Sequence, residues 1–185
     1  GFEGAATIDY VMKDGDGDTD TAQLVITVAP DSTPTVDWLL VGASPGVVDE
    51  GALPEGNLGG TTTTSGTLDI ATGFDVLNAV GAVVINGVDV TLGGTVPGTY
   101  GTLVVTVGAG VYDWTYTLND NAPHTNTGAV GAADQFPEEN FAVVVTDDDG
   151  DSSAPVPLVI QINDDGPLAA DDTGSTVEDT PVTVN

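Results

Sequence analysis

Apolar and polar residues alternate with a period of two along most of this chain, and helical spacing is hard to find. Thr7–Met12 and Ala22–Val28 alternate on either side of an Asp-rich turn. Successive strand side chains point to opposite faces, so this pattern predicts half-buried strands. Val36–Val41 reads as a strand or a linker continuing into one, and further strands are predicted at Thr67–Ala71, Ala82–Ile85, Val88–Leu92, Thr102–Val107, Val111–Leu118, Phe141–Val145 and Pro157–Ile162. Asn86-Gly87 between two of them is a strong hairpin signal, because both residues accept positive φ. Gly108-Ala109-Gly110 predicts a second hairpin. Thr61–Thr64 reads as an edge strand or loop, and Gly73–Val80 could hold one helical turn. Short strands spaced by turns predict an all-β antiparallel sandwich.

The alternating segments also repeat. Val11-Met12-Lys13-Asp14-Gly15-Asp16-Gly17-Asp18 precedes Leu24-Val25-Ile26-Thr27-Val28. Val144-Val145-Thr146-Asp147-Asp148-Asp149-Gly150-Asp151 precedes Leu158-Val159-Ile160-Gln161-Ile162. Asp149 stands 133 positions after Asp16, a period of domain size. Residues 1–35 then read as the C-terminal hairpin and linker of one module. Residues 36–165 read as a complete module, and residues 166–185 as the linker and first strand of a third.

Composition narrows the classes of function. The chain has 185 residues, with Asp+Glu 29 against Lys+Arg 1 and a formal charge of −28. Lys13 alone cannot neutralise phosphates, which argues against nucleic-acid partners, and an anionic membrane surface would repel the chain. No apolar run approaches the ~20 residues of a membrane helix, so membrane insertion is not expected. Gly1–Tyr10 has neither the basic nor the apolar region of a signal peptide. Without Cys there are no disulfides or thiolate sites. High charge alone would suggest disorder, but 40% hydrophobic residues and a mean hydropathy of +0.13 predict a folded core. Val and Thr suit a pleated surface.

The order of short motifs adds a resemblance. Residues 100–118 (YGTLVVTVGAGVYDWTYTL) resemble the core of VCBS-type repeats. Residues 48–56 (VDEGALPEG), the segment DNAPH ending at His124, residues 146–167 and residues 178–185 (EDTPVTVN) resemble repeat modules of giant RTX adhesins exported by type I secretion. The resemblance implies Ig-like sandwich modules, secreted to the bacterial surface, that bind calcium and space a distal ligand-binding region from the cell in attachment and biofilm formation. Its partners would be neighbouring modules of the same polypeptide. An isolated two-stranded hairpin is marginal in water, so the terminal segments are expected to pack on the central module or to join other chains head to tail. The G-G-x-G-x-D nonapeptide is missing, so this is not the calcium β-roll.

The acidic turns are the best candidates for chemistry. Asp14, Asp16, Asp18 and Asp20 alternate, as do Asp147, Asp149 and Asp151. Carboxylates that point the same way can converge on Ca2+, which takes 6–8 oxygens at ~2.3–2.6 Å; Mg2+ demands stricter geometry and keeps more water. An EF-hand is excluded: Thr19 or Ser152 stands where its Gly belongs, and Val25 or Leu158 where its Glu belongs. A solvated turn that binds nothing is the bland alternative. Ligands from the linker and the following module would complete each site. For the first turn these are Asp31, Asp37, Asp49 and Glu50. For the second they are Asn163, Asp164, Asp165, Asp171, Asp172, Glu178 and Asp179. A shared ion would fix the angle between modules.

Catalysis is not expected. His124 has no G-x-S-x-G partner and no Arg beside it, and it reads as a turn residue hydrogen-bonded to backbone. Adjacent Glu138 and Glu139 rarely face one substrate. Tyr112, Trp114 and Tyr116 share one face of a strand. They read as core, with a sugar- or protein-binding platform as the alternative.

Overall fold

Val111–Leu118 shows how the alternation becomes structure: Tyr112, Trp114, Tyr116 and Leu118 are buried, while Val111, Asp113 and Thr115 are exposed. A computed structural model describes residues 3–40, 46–125, 134 and 137–166. The strands are β1 (Gly4–Lys13), β2 (Thr19–Val28), β3 (Thr35–Leu40), β4 (Gly46–Asp49), β5 (Thr63–Ala71), β6 (Val83–Ile85), β7 (Val88–Asp89), β8 (Gly94–Pro97), β9 (Gly101–Gly108), β10 (Val111–Leu118), β11 (Glu138–Val145) and β12 (Val156–Asn163). β1 and β2 form a two-stranded sheet. Two five-stranded sheets, ordered β3-β5-β10-β9-β8 and β4-β12-β11-β6-β7, form a sandwich. Among the described residues the only helical element is a 3-10 turn over Glu50–Ala52, and no helix could cross a membrane.

The inner faces of the two large sheets meet in one core. Trp38, Leu68, Leu103 and Trp114 come from one sheet, and Val48, Phe141, Val143 and Ile160 from the other. Each large side chain so buried contributes about 1.5–3 kcal/mol. Polar tips find partners across the core. Trp38 Nε1 donates to Val156 O at 2.9 Å. The Trp38 and Trp114 rings meet edge-on, with centroids 5.6 Å apart.

Several expectations change. The sheets are antiparallel except that β4 joins β12 in parallel, with Val48 opposite Ile162. Thr61 and Thr62 are loop, as one of the two readings has it, but β5 begins at Thr63 and runs between β3 and β10, so Thr63 and Thr64 lie on an interior strand rather than an edge. β7 stops at Asp89 because its carboxylate takes the N–H and Oγ1 of Thr91 at 2.9 and 2.6 Å, a local bond that competes with the ladder. No helix forms at residues 73–80. Phe74 N donates to Ser32 Oγ, and Leu77 bridges to Asp147.

The small hairpin duplicates the pairing of β11 with β12. Ile8 faces Leu24 and Ala5 faces Thr27, as Phe141 faces Leu158 and Glu138 faces Gln161. The turns match as well. Asp14 N donates to Asp18 O at 3.0 Å, and Asp147 N to Asp151 O at 3.1 Å. Gly17 and Gly150 supply φ of 108° and 107°, which side chains rarely adopt. Burial separates the two hairpins: Phe141, Leu158 and Ile160 are closed into the core, whereas Ile8, Leu24 and Ile26 are exposed.

Candidate metal centres

Both acidic turns use their first Asp as a brace. Asp14 Oδ1 accepts the N–H of Gly17 and Asp18 at 2.9 and 2.8 Å. Asp147 Oδ1 accepts those of Gly150 and Asp151 at 3.1 and 2.8 Å. Asp14, Asp16 and Asp18 thereby form one carboxylate cluster, and Asp147, Asp149 and Asp151 another, each with oxygens within 4.8 Å. The two braces sit in different surroundings. A side-chain hydrogen bond with Asp16 leads the causes that lower the Asp14 pKa. Burial raises that of Asp147, and Asp149 raises it further. Asp147 has no exposed surface, and its Oδ2 lacks a hydrogen-bond partner among the described residues. A buried carboxylate oxygen with nothing to accept is costly unless a cation or a proton satisfies it.

The second cluster extends to the segment that enters the sandwich. Asp31, Asp75 and Asp149 also lie within 4.8 Å through one oxygen each, so Asp149 belongs to both groups. Ser32 pins the segment there: its Oγ donates within reach of Thr72 O at 2.8 Å and Asp75 Oδ2 at 2.6 Å. Five carboxylates from three stretches of chain converge at this pole with no cationic side chain among them.

This grouping differs from the one expected. Asp31 joins the Asp147–Asp151 turn, not the Asp14–Asp18 turn. The reason is strand length. A strand of eight to ten residues, at about 3.3 Å each, separates a hairpin turn from the linker that follows it by ~26–33 Å. One ion therefore cannot touch Asp149 and Asp164, or Asp16 and Asp31. Asp37 is an exposed residue of β3 whose Oδ1 accepts from Trp38 N. Asp49 is committed within the fold, accepting from Asn163 Nδ2 at 2.7 Å and Thr61 N at 3.0 Å. Asp165 joins no cluster among the described residues. Asp171, Asp172, Glu178 and Asp179 lie outside the described residues.

At the opposite pole, where β12 leaves the sandwich, Glu50, His124 and Asp164 group within 4.8 Å. His124 does not bond to backbone through its ring, as expected of a turn residue. Its Nε2 lies 3.3 Å from Glu50 Oε1 and its Nδ1 3.5 Å from Asp134 Oδ1. Sequence reasoning overlooked this grouping because its members come from separate stretches of chain.

Glu139 also had no structural role in the sequence reading. It is buried and accepts the N–H of Thr99, Tyr100 and Gly101 at 2.8, 2.8 and 3.1 Å, with Tyr116 Oη 3.2 Å away. Burial first, then the Glu139 charge, raises the Tyr116 pKa far above the phenol range. Glu139 is a structural brace. Tyr112, Trp114 and Tyr116 are core residues, so their rings offer no binding platform. No protein-family model matches the chain, and comparison with curated proteins finds no match.

Proposed function

We propose that the protein is a calcium-stiffened spacer of a large secreted adhesin, built from tandem Ig-like modules at the bacterial surface, with no enzymatic role. The observation that carries the reading is the Asp31–Asp75–Asp149 cluster joined to the Asp147–Asp151 turn. All its donors are oxygens, which suits a hard cation of flexible coordination such as Ca2+. An ion there would tie the entering segment to the loop at residue 75 and to the turn between β11 and β12. Calcium would then fix how a module follows the one before it.

The duplicated hairpin supports the tandem arrangement. The apolar face of β1–β2 carries Ile8, Leu24 and Ile26 at positions equivalent to the core residues Phe141, Leu158 and Ile160. An isolated two-stranded hairpin is marginal in water. In this reading β1–β2 closes the core of a preceding module of the same kind. The Asp14–Asp18 turn serves that module's entrance as Asp147–Asp151 serves this one.

Calorimetric titration of the chelator-treated chain with Ca2+ tests the reading. Binding is expected on the order of 0.1–1 mM, as in extracellular modules, with Asp149→Asn removing the site at the sandwich entrance. Absence of binding, or an Asp149→Asn protein that binds unchanged, would count against it.

A further inference from the structure

We propose that the exit pole of the sandwich holds a second, chemically different metal site that takes a divalent first-row transition ion of the zinc type. Its donors are Glu50, His124 and Asp164, with Asp134 orienting the imidazole. Three observations carry this beyond an acidic cluster.

His124 comes first. Its side chain is 6% exposed, and neither ring nitrogen has a hydrogen-bond partner among the described residues. A buried imidazole normally satisfies at least one nitrogen. Here Nε2 lies 3.3 Å from Glu50 Oε1 and Nδ1 lies 3.5 Å from Asp134 Oδ1, close contacts that are not hydrogen bonds.

Distance is the second observation. Charge-assisted N–H···O bonds run ~2.7–2.9 Å, and both His124 contacts are longer. Two donors about 2.0–2.1 Å from a tetrahedral ion lie ~3.3–3.4 Å apart. The 3.3 Å between Nε2 and Glu50 Oε1 matches that edge in length. Asp164 brings a third donor atom within 4.8 Å of both.

The third is the donor set itself. Calcium takes oxygens, whereas imidazole selects borderline ions such as zinc. Asp134, 3.5 Å from Nδ1, stands where a small closing movement would complete a carboxylate–histidine–metal arrangement, which would fix the tautomer that leaves Nε2 free to bind. Asp164 N donates to Asp134 O at 3.1 Å, so a donor and the orienting residue are held together. The ion would join the 3-10 turn at Glu50, the loop after β10 and the end of β12. Glu50 is 2% exposed and already accepts the N–H of Ala122, so that carboxylate is preorganised.

The test is imidazole 15N NMR of the full, chelator-treated chain titrated with zinc alone. His124 is the single histidine, so the signal needs no assignment. One equivalent of zinc should shift Nε2 to a metal-bound position and leave Nδ1 protonated. A tenfold excess of Ca2+ should not reverse this. Ring nitrogens that do not move, or reversal by Ca2+, would overturn the proposal. Visible absorption of the Co2+-loaded chain gives a second reading: His124→Gln should lose the tetrahedral bands, and retained bands in a folded variant would contradict the site. If that variant does not fold, the wild-type imidazole signal decides. Asp134→Asn should weaken zinc about 10–100-fold, and unchanged affinity would remove its orienting role. Asp149→Asn should leave zinc binding untouched, which separates this site from the calcium reading.

Discussion

Asp31 and Asp149, 118 positions apart in the sequence, bring carboxylate oxygens within 4.8 Å of each other and of Asp75. Without a cation, like charges this close repel. An ion that binds only the native state stabilises it by about 2.7 kcal/mol at a hundredfold excess over Kd. Calcium is therefore expected to raise the melting temperature of the sandwich, and Asp149→Asn to abolish most of that rise. Asp16→Asn should leave it intact, because Asp16 belongs to a hairpin outside the sandwich sheets. Scanning calorimetry of the three proteins with calcium and with chelator checks this.

The pH dependence has a definite sign. The folded-state pKa of Asp147 is raised above its ordinary 3.8, chiefly by burial and then by Asp149. A raised carboxyl stabilises the fold in its protonated form. That contribution is complete below the unfolded value and lost as pH rises through the folded one. In chelator, wild type should therefore lose stability relative to Asp147→Asn as pH climbs from 3.8 through the raised value. At pH 7 the Asn variant should melt higher than wild type in chelator and respond less to calcium. Thermal unfolding between pH 3 and 7 reads the difference. A wild-type protein that gains on the variant as pH rises without calcium would contradict it.

Glu139 holds the turn before β9 through three backbone N–H groups and stands against Tyr116. Glu139→Ala would leave the N–H groups of buried Gly101, half-buried Tyr100 and exposed Thr99 without their acceptor, at about 1–3 kcal/mol for each that water cannot reach. Its cost should be about 3 kcal/mol or more. Tyr116→Phe removes only one partner and should cost about 1–2 kcal/mol. Urea unfolding measures both; equal, small losses would contradict the bracing role.

The strands that read clearly are those whose alternation is strict, such as β10 with Tyr112, Trp114 and Tyr116. The duplicated hairpin was legible too, because its Asp-Gly-Asp turn depends on local backbone geometry at Gly17 and Gly150. β4 was not: Gly46–Asp49 is short, and its parallel partner β12 begins more than a hundred residues later. The acidic residues within each turn group as their alternation suggests, but the linker residues Asp31 and Asp164 stand with other partners than the sequence reading gave them. Asp164 follows Asp149 closely in sequence, yet a full strand carries it to the other pole. His124 gave no signal of its own, since Glu50 and Asp134 reach it only through the folded sheets.

The hairpin β1–β2 should be thermodynamically separate from the sandwich. Its apolar residues Ile8, Met12, Leu24 and Val25 are each half-exposed or more, so it adds little to the core. Deleting residues 1–28, which retains Asp31 and Ser32, should leave the melting temperature and its calcium response unchanged. It should also lower binding of an apolar dye. A large drop in melting temperature would show that the hairpin is docked.

The central claim is that calcium fixes the entering segment to the sandwich at Asp31, and pulsed electron–electron resonance measures this most directly. The chain has no cysteine, so Thr27→Cys on β2 and Thr106→Cys on β9, both exposed, give two clean spin-label positions. The account predicts a narrow distance distribution in calcium and a broad one in chelator, with Asp149→Asn broad in both. Distributions of equal width with and without calcium would contradict it, even if calcium binds.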